Sequence, residues 1–167
     1  MKLTLFSLAL IIAKLSWSCA AATAQLVPDT TLGAENSLVT PNENIKGIPG
    51  DRIDGGAVRG ANLFHSFREL NVGNGRAVYF ANPAAIENIL TRVTGGNASN
   101  ILGTIGVLGN ANLFLINPNG IVFGPNARLD VGGAFFASTA SSLVFRDGLN
   151  FSAANPQTAP LLTVNIP

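Results

Sequence analysis

His65 is the only histidine of this 167-residue chain, and it sits in the run Leu63-Phe64-His65-Ser66-Phe67 between aromatic residues. A metal site would need further ligands at set spacing, and general-base work would need a placed partner. The sequence supplies neither, so His65 reads as a structural histidine. The acids that could serve hydrolysis or elimination on a polysaccharide are Asp51, Asp54, Glu69, Glu87, Asp130 and Asp147. Glycoside hydrolysis needs two carboxylates facing each other across a cleft. Asp51 and Asp54 are the closest pair, but they lie in a glycine-rich segment where solvated turn residues are expected. No carboxylate cluster recurs, and the chain reads as a non-enzyme without cofactor or metal. Gly73-Asn74-Gly75-Arg76 has two of the three glycines of a dinucleotide loop but no following helix, so it is a turn. No Walker loop or G-x-S-x-G elbow is present, and no nucleotide is expected.

The elements that carry these residues are short. Asn117-Pro118-Asn119-Gly120-Ile121 lies between the apolar runs Leu113–Ile116 and Ile121–Phe123. Asn first, Pro second and Gly fourth suit a type I turn, because Pro presets φ and the Asn side chain bonds nearby backbone. The pentapeptide is therefore a tight bend between two buried strands, with another bend at Gly124-Pro125-Asn126. Further apolar runs recur at Ala57-Val58, Leu63–Phe67, Arg76–Phe80, Ile101-Leu102, Ile105–Leu108, Leu129–Val131, Phe135-Phe136, Leu143–Phe145 and Leu161–Ile166. Short apolar runs bounded by turn formers are buried strands. Ile86–Val93 has helical spacing, but Thr91 and Val93 are β-branched and Thr94-Gly95-Gly96-Asn97 ends it, which favours a strand. Asn71–Gly75 is a hairpin or tight corner. Gln25–Pro49 is polar, broken by Pro28, Pro41 and Pro49, and reads as an irregular cap or extended arm. The runs follow no single period.

Charged residues make up 11% of the chain, against roughly 25% in ordinary soluble domains. The 18 glycines and the many asparagines supply polarity through turns instead. A stacked β-solenoid tolerates that composition, since Asn side chains at successive corners can bond in ladders.

The N-terminus carries a signal peptide: Lys2, the apolar Leu3–Ala13 stretch, and the cleavage signal Ala22-Thr23-Ala24. Cleavage between Ala24 and Gln25 is expected. It removes Lys2, Lys14 and the single cysteine, Cys19, whose spacing from Leu15 makes a poor lipoprotein site. Of ten Lys/Arg and nine Asp/Glu, eight and nine remain. That balance argues against nucleic acid and anionic lipid as partners. Residues 25–167 are enough for one domain, held without disulfides.

Gly55-Gly56-Ala57-Val58-Arg59-Gly60-Ala61-Asn62-Leu63-Phe64-His65-Ser66-Phe67-Arg68-Glu69-Leu70-Asn71-Val72, followed by Asn117–Ile121, resembles the filamentous-haemagglutinin N-terminal domain. That family is also known as the two-partner secretion domain or haemagglutination activity domain. The resemblance runs from about Thr31 to about Leu149. It implies a right-handed parallel β-helix with an N-terminal cap. It also implies a role as the secretion-targeting and folding-nucleation part of an exoprotein such as an adhesin or haemagglutinin. POTRA domains of an outer-membrane β-barrel transporter recognise such a domain in the periplasm of a Gram-negative bacterium, and the chain is secreted or displayed on the cell surface. The family's upstream NPNL motif has its nearest match in Asn97-Ala98-Ser99-Asn100-Ile101-Leu102, where alanine stands for proline. Asn97, Asn100, Leu102 and Asn117 to Ile121 are the recognition residues the resemblance implies. A partner-independent adhesive or carbohydrate-binding solenoid is the alternative. The apolar pattern continues to Pro167, which is read as a domain cut before its passenger, with an exposed edge open to self-association.

Overall fold

The computed structural model describes residues 26–146 and 148–157. The signal peptide and the Leu161–Ile166 strand fall outside the described residues. The chain opens with β1 (Leu26–Pro28), a three-residue 3-10 turn, β2 (Ser37–Ile45), β3 (Ile48–Gly55), β4 (Ala57–Arg59) and β5 (Asn62–Leu70). It continues through β6 (Ala77–Ala81), β7 (Asn88–Val93), β8 (Ser99–Ile101), β9 (Thr104–Leu108) and β10 (Asn112–Ile116). Then follow β11 (Ile121–Phe123), β12 (Arg128–Asp130), β13 (Phe135–Ser138), β14 (Ser142–Val144) and β15 (Asn150–Ser152).

Within the coils, sequence neighbours do not pair; strands one coil apart do. β5, β7, β10 and β13 stack in parallel as the first face. β3, β6, β9 and β12 form the second. β11 on β8, with Val72 bridged to Ile101 beneath, forms the third. The architecture is a parallel β-solenoid of about four turns. Leu63 lies under Ile89, Ile89 under Leu113 and Leu113 under Phe135, so successive coils measure 26, 24 and 22 residues on the first face. Unequal corners thus hide the repeat from a search for one sequence period. Asn71–Gly75 is a corner and no hairpin, because β5 and β6 belong to different faces. Ile86–Val93 does supply a strand, β7.

Alternate side chains of each strand point into the coil, as strand geometry requires. Ile53, Leu63, Phe67, Val78, Phe80, Ile89, Ile101, Ile105, Leu113 and Leu115 fill the interior. At the start of the first-face strands, three asparagines stack on that register. The Nδ2 of Asn112 donates to Asn88 Oδ1 (2.9 Å), and that of Asn88 to Asn62 Oδ1 (3.0 Å). The backbone N–H of Ala134 completes the column on Asn112 Oδ1 (2.8 Å).

The cap departs from the irregular arm expected of Gln25–Pro49. β2 pairs antiparallel with β3, while β1 and β4 pair antiparallel with β5. Backbone pairing makes these segments strands although their side chains are polar. Pro41 is accommodated because β2 is an edge strand whose register slips between Thr40 and Glu43. The two-residue turn Lys46-Gly47 has positive φ at both positions, 51° and 82°, as a type I′ hairpin needs. It lays Ile45 and Ile48 on Ala77, Tyr79 and Leu108, outside the second face. β14 and β15 form an antiparallel hairpin whose Leu143, Phe145 and Phe151 cover Phe64, Leu90 and Phe114 outside the first face. Asn100, Leu102 and Val122, on the outside of the third face, are exposed.

β11 was expected to be buried, but Val122 and Phe123 are 50% and 43% exposed. Val122 points outward, and inward-pointing Phe123 lies in the uppermost described coil with no described strand above it. The asparagine column gives a direct test of the stacking. Asn88→Ala removes a donor and an acceptor from its middle and is expected to lower unfolding free energy in urea by about 2 kcal/mol. Asn126→Ala, at an exposed corner, is expected to change it by less than about 0.5 kcal/mol.

Candidate functional site

β10 ends at Ile116, and the chain turns at once. The N–H of Gly120 donates to the carbonyl of Asn117 (3.1 Å), closing the β-turn, and that of Asn119 donates to Asn117 Oδ1 (2.9 Å). Gly120 has φ +115°, which glycine adopts without strain. Asn117 is fully buried, and its Nδ2 donates to the Asn97 carbonyl and to Ser99 Oγ, both at 3.0 Å. Asn119 reaches the same lower corner, its Nδ2 donating to the Gly95 carbonyl (2.7 Å). Ile121 packs against the interior cluster.

The two segments singled out in the sequence therefore lie one above the other. Ser99, Asn100 and Ile101 pair with Ile121, Val122 and Phe123 in parallel. The corners are not copies of each other. Asn97 is exposed and donates to Glu69 Oε1 (2.7 Å) instead of closing its own turn. Asn100 takes its backbone bond from below, donating its N–H to Asn71 Oδ1 (2.8 Å). Asn117 and Asn119 therefore pin the upper corner to the lower one, where alanine replaces the rigid proline. Leu102 (37% exposed) and Val122 project outward beside them. On this face two exposed hydrocarbon side chains lie beside amides.

The carboxylates do not converge. Asp51 accepts from Arg76 Nη2 (2.9 Å) and from the N–H of Asn42 (3.0 Å). Asp54 pairs with Arg52 on β3 (2.7 Å). Three residues apart on a strand, Asp51 and Asp54 point to opposite sides. Asp130 accepts from Tyr79 Oη and Lys46 Nζ, both at 2.6 Å. Lys46 and Tyr79 hold that carboxyl below its ordinary range, while burial and Asp130 push the Tyr79 phenol up to about 12. Asp147 lies outside the described residues.

His65 is inside the coil, fully buried against Phe67 and Phe80. Ser37 Oγ accepts the Ser66 N–H (3.2 Å) and shares a hydrogen bond with His65 Nδ1 (3.0 Å), whose direction is set by the imidazole tautomer. Among the described residues Nε2 has no partner, and burial drives the imidazole pKa down to about 3. This is the structural histidine the sequence suggests.

One buried charge escaped the sequence reading. Arg92 is 0% exposed, on the outer side of β7. Burial pushes its guanidinium down to about 10, and Asp29 opposes that shift. The only sign of it in the sequence is a cation inside the otherwise uncharged strand Asn88–Val93.

Residues 24–167 match the family model described as the TPS secretion domain. The chain belongs to the TPS secretion domain family. Over 72 residues this TPS domain is also 39% identical to the heme/hemopexin-binding protein of Haemophilus influenzae (strain ATCC 51907 / DSM 11121 / KW20 / Rd). That alignment covers 43% of this chain and 7% of the relative. The TPS family is one of secretion domains of two-partner exoproteins and is no catalytic family.

Two outcomes follow for the isolated TPS domain. Asn117→Ala strips three hydrogen bonds from a buried corner and is expected to lower stability by about 2 kcal/mol, and Asn119→Ala by about 1 kcal/mol or less, in urea unfolding. The unfolded chain takes up a proton on His65 near pH 6.5 that the folded chain refuses until about pH 3. Stability is therefore full above pH 6.5 and falls as pH drops through that window, by up to about 1.4 kcal/mol per unit. Between pH 6.5 and 4.5 the fall is expected in the native chain and much reduced in His65→Gln. Only the smaller contribution of Asp29, Glu35 and Asp130, whose carboxyls are also held below their ordinary range, is left there.

Proposed function

We propose that this domain addresses an exoprotein to a dedicated outer-membrane β-barrel transporter, whose periplasmic POTRA domains recognise the third face of the solenoid. The observation that carries the reading is the stacking of Asn97–Leu102 beneath Asn117–Ile121 on that face. The other two faces are overlaid by the cap hairpin and by β14–β15. The organisation that goes with it is a signal peptide over 1–24, cleaved between Ala24 and Gln25, and a secretion domain over 25–167 of a Gram-negative exoprotein. The likeness to filamentous haemagglutinin supports an exoprotein of the adhesin type, secreted or held at the cell surface. Folding nucleation belongs to the same reading, because each coil offers a complete parallel template to the next. The apolar rim of the upper coil, where Phe123 and Leu129 are exposed, supports self-association there.

The relative's heme ligand is not transferred. The one histidine here has no exposed surface. The adhesive alternative rests on Phe114 and the half-exposed Phe136, ring centroids 5.9 Å apart outside the first face. It predicts binding on a glycan array that Phe136→Ala removes.

The transporter reading is tested by secretion of the tagged chain from a Gram-negative host, with and without the transporter encoded beside its gene. Export is expected only with the transporter. Leu102→Glu with Val122→Glu is expected to cut it at least fivefold while the melting temperature of the purified domain moves by less than about 2 °C, as exposed substitutions allow. Export unchanged by that pair would remove the third face from recognition.

A further inference from the structure

Arg92 is held by three parts of the chain that are far apart in sequence. Its Nε donates to Ser66 Oγ (2.8 Å) on the strand beneath. One terminal nitrogen donates to Thr31 Oγ1 (2.7 Å), sixty-one residues upstream, and the other to the Ser152 carbonyl (2.9 Å), sixty residues downstream. The ring of Phe151 lies over the guanidinium at 4.5 Å. The counter-charge is Asp29, which does not touch Arg92 but acts through shared hydroxyls. Its carboxylate accepts from Thr31 N–H and Oγ1, from Ser66 Oγ (2.8 Å) and from Thr94 Oγ1 (2.6 Å).

A buried guanidinium is tolerable only when its donors are satisfied and its charge is balanced. The β14–β15 hairpin is the part that shuts water out, with Phe151 over one face and the Ser152 carbonyl on one nitrogen. Once water is excluded, the remaining donors and the charge depend on Thr31 and Asp29. The hairpin and the N-terminal segment thus need each other, and both need Arg92. The hairpin's own two ends are held together, since the N–H of Ala153 donates to the Ser141 carbonyl (2.8 Å).

We propose that Arg92 is a closing latch that makes the order of residues 29–32, between β1 and the 3-10 turn, conditional on arrival of Phe151–Ser152, so that this segment and the hairpin lock together only when the hairpin seats. This inference stands apart from the transporter reading, and secretion results do not decide it. In a chain that emerges from its N-terminus, the solenoid coils can pair while the Asp29–Thr31 segment stays open. The outer layer closes last, after residue 152.

The rival explanation is plain apolar packing, because Leu32 and Phe151 share one cluster. A double-mutant comparison on the full-length chain separates the two, read by amide hydrogen exchange in residues 29–32. Phe151→Leu keeps the hydrocarbon but loses the ring over the cation. It is expected to speed exchange in residues 29–32 about tenfold in the native background and less than twofold in Arg92→Met. Exchange in β9 and β10 serves as the control that the coils remain folded. If either Arg92→Met protein loses that control protection, Asp29→Asn replaces it, with the same expectation. Equal acceleration in both backgrounds would assign the coupling to the Leu32 contact, and no acceleration in either would show the two ends to be independent. Each of those results overturns the latch.

Discussion

Asn62, Asn88 and Asn112 stand one above another because β5, β7 and β10 pair in parallel without a slip, and that unshifted register is the constraint on which the rest depends. One residue of slip would turn Leu63, Ile89 and Leu113 out of the interior and bring Phe64, Leu90 and Phe114 in. It would also break the amide column. The same rule on the third face puts Asn117 above Asn97 and Ser99. The corner residues and the core residues are therefore positioned by one set of axial hydrogen bonds.

That stack has a closed end and an open one. Below, antiparallel β1, β2 and β4 cover the parallel strands, and the edge of β2 is blunted by Pro41 and its register slip. Above, β11, β12 and β13 present unpaired edges among the described residues, with Phe123, Leu129 and Phe136 partly exposed. Coils can be added in one direction only. The two hairpins act at right angles to this axis. Lys46 and Asp130 tie the cap hairpin across the second face to β12, and Arg92 ties β15 to β7. The uncovered face is the one that carries the paired corners.

Much of this was legible in the residues. Turn formers bracketed most strands, and the low charge with abundant asparagine foretold the amide column. The two corner motifs were visible, though not the fact that one sits on the other. Two features were hidden for physical reasons. Corners of different length shift the coil from 26 to 22 residues on a single face, so no fixed period survives in the sequence. The cap strands carry polar side chains and owe their extended form to backbone pairing with distant partners, which no local pattern encodes. Arg92 belongs to a third kind. Its neighbours in the strand look like core, and only Thr31 and Ser152, each about sixty residues away, explain a cation there.

The third face is proposed to meet the transporter. A photo-crosslinking amino acid placed singly at Leu102, Val122, Val58 or Val144 tests it directly, with the purified periplasmic domains of the transporter as target. All four positions are exposed, and only the first two lie on the third face. The account predicts crosslinks from Leu102 and Val122 and none from Val58 or Val144. Crosslinks from Val58 and Val144 with none from the third face would contradict it.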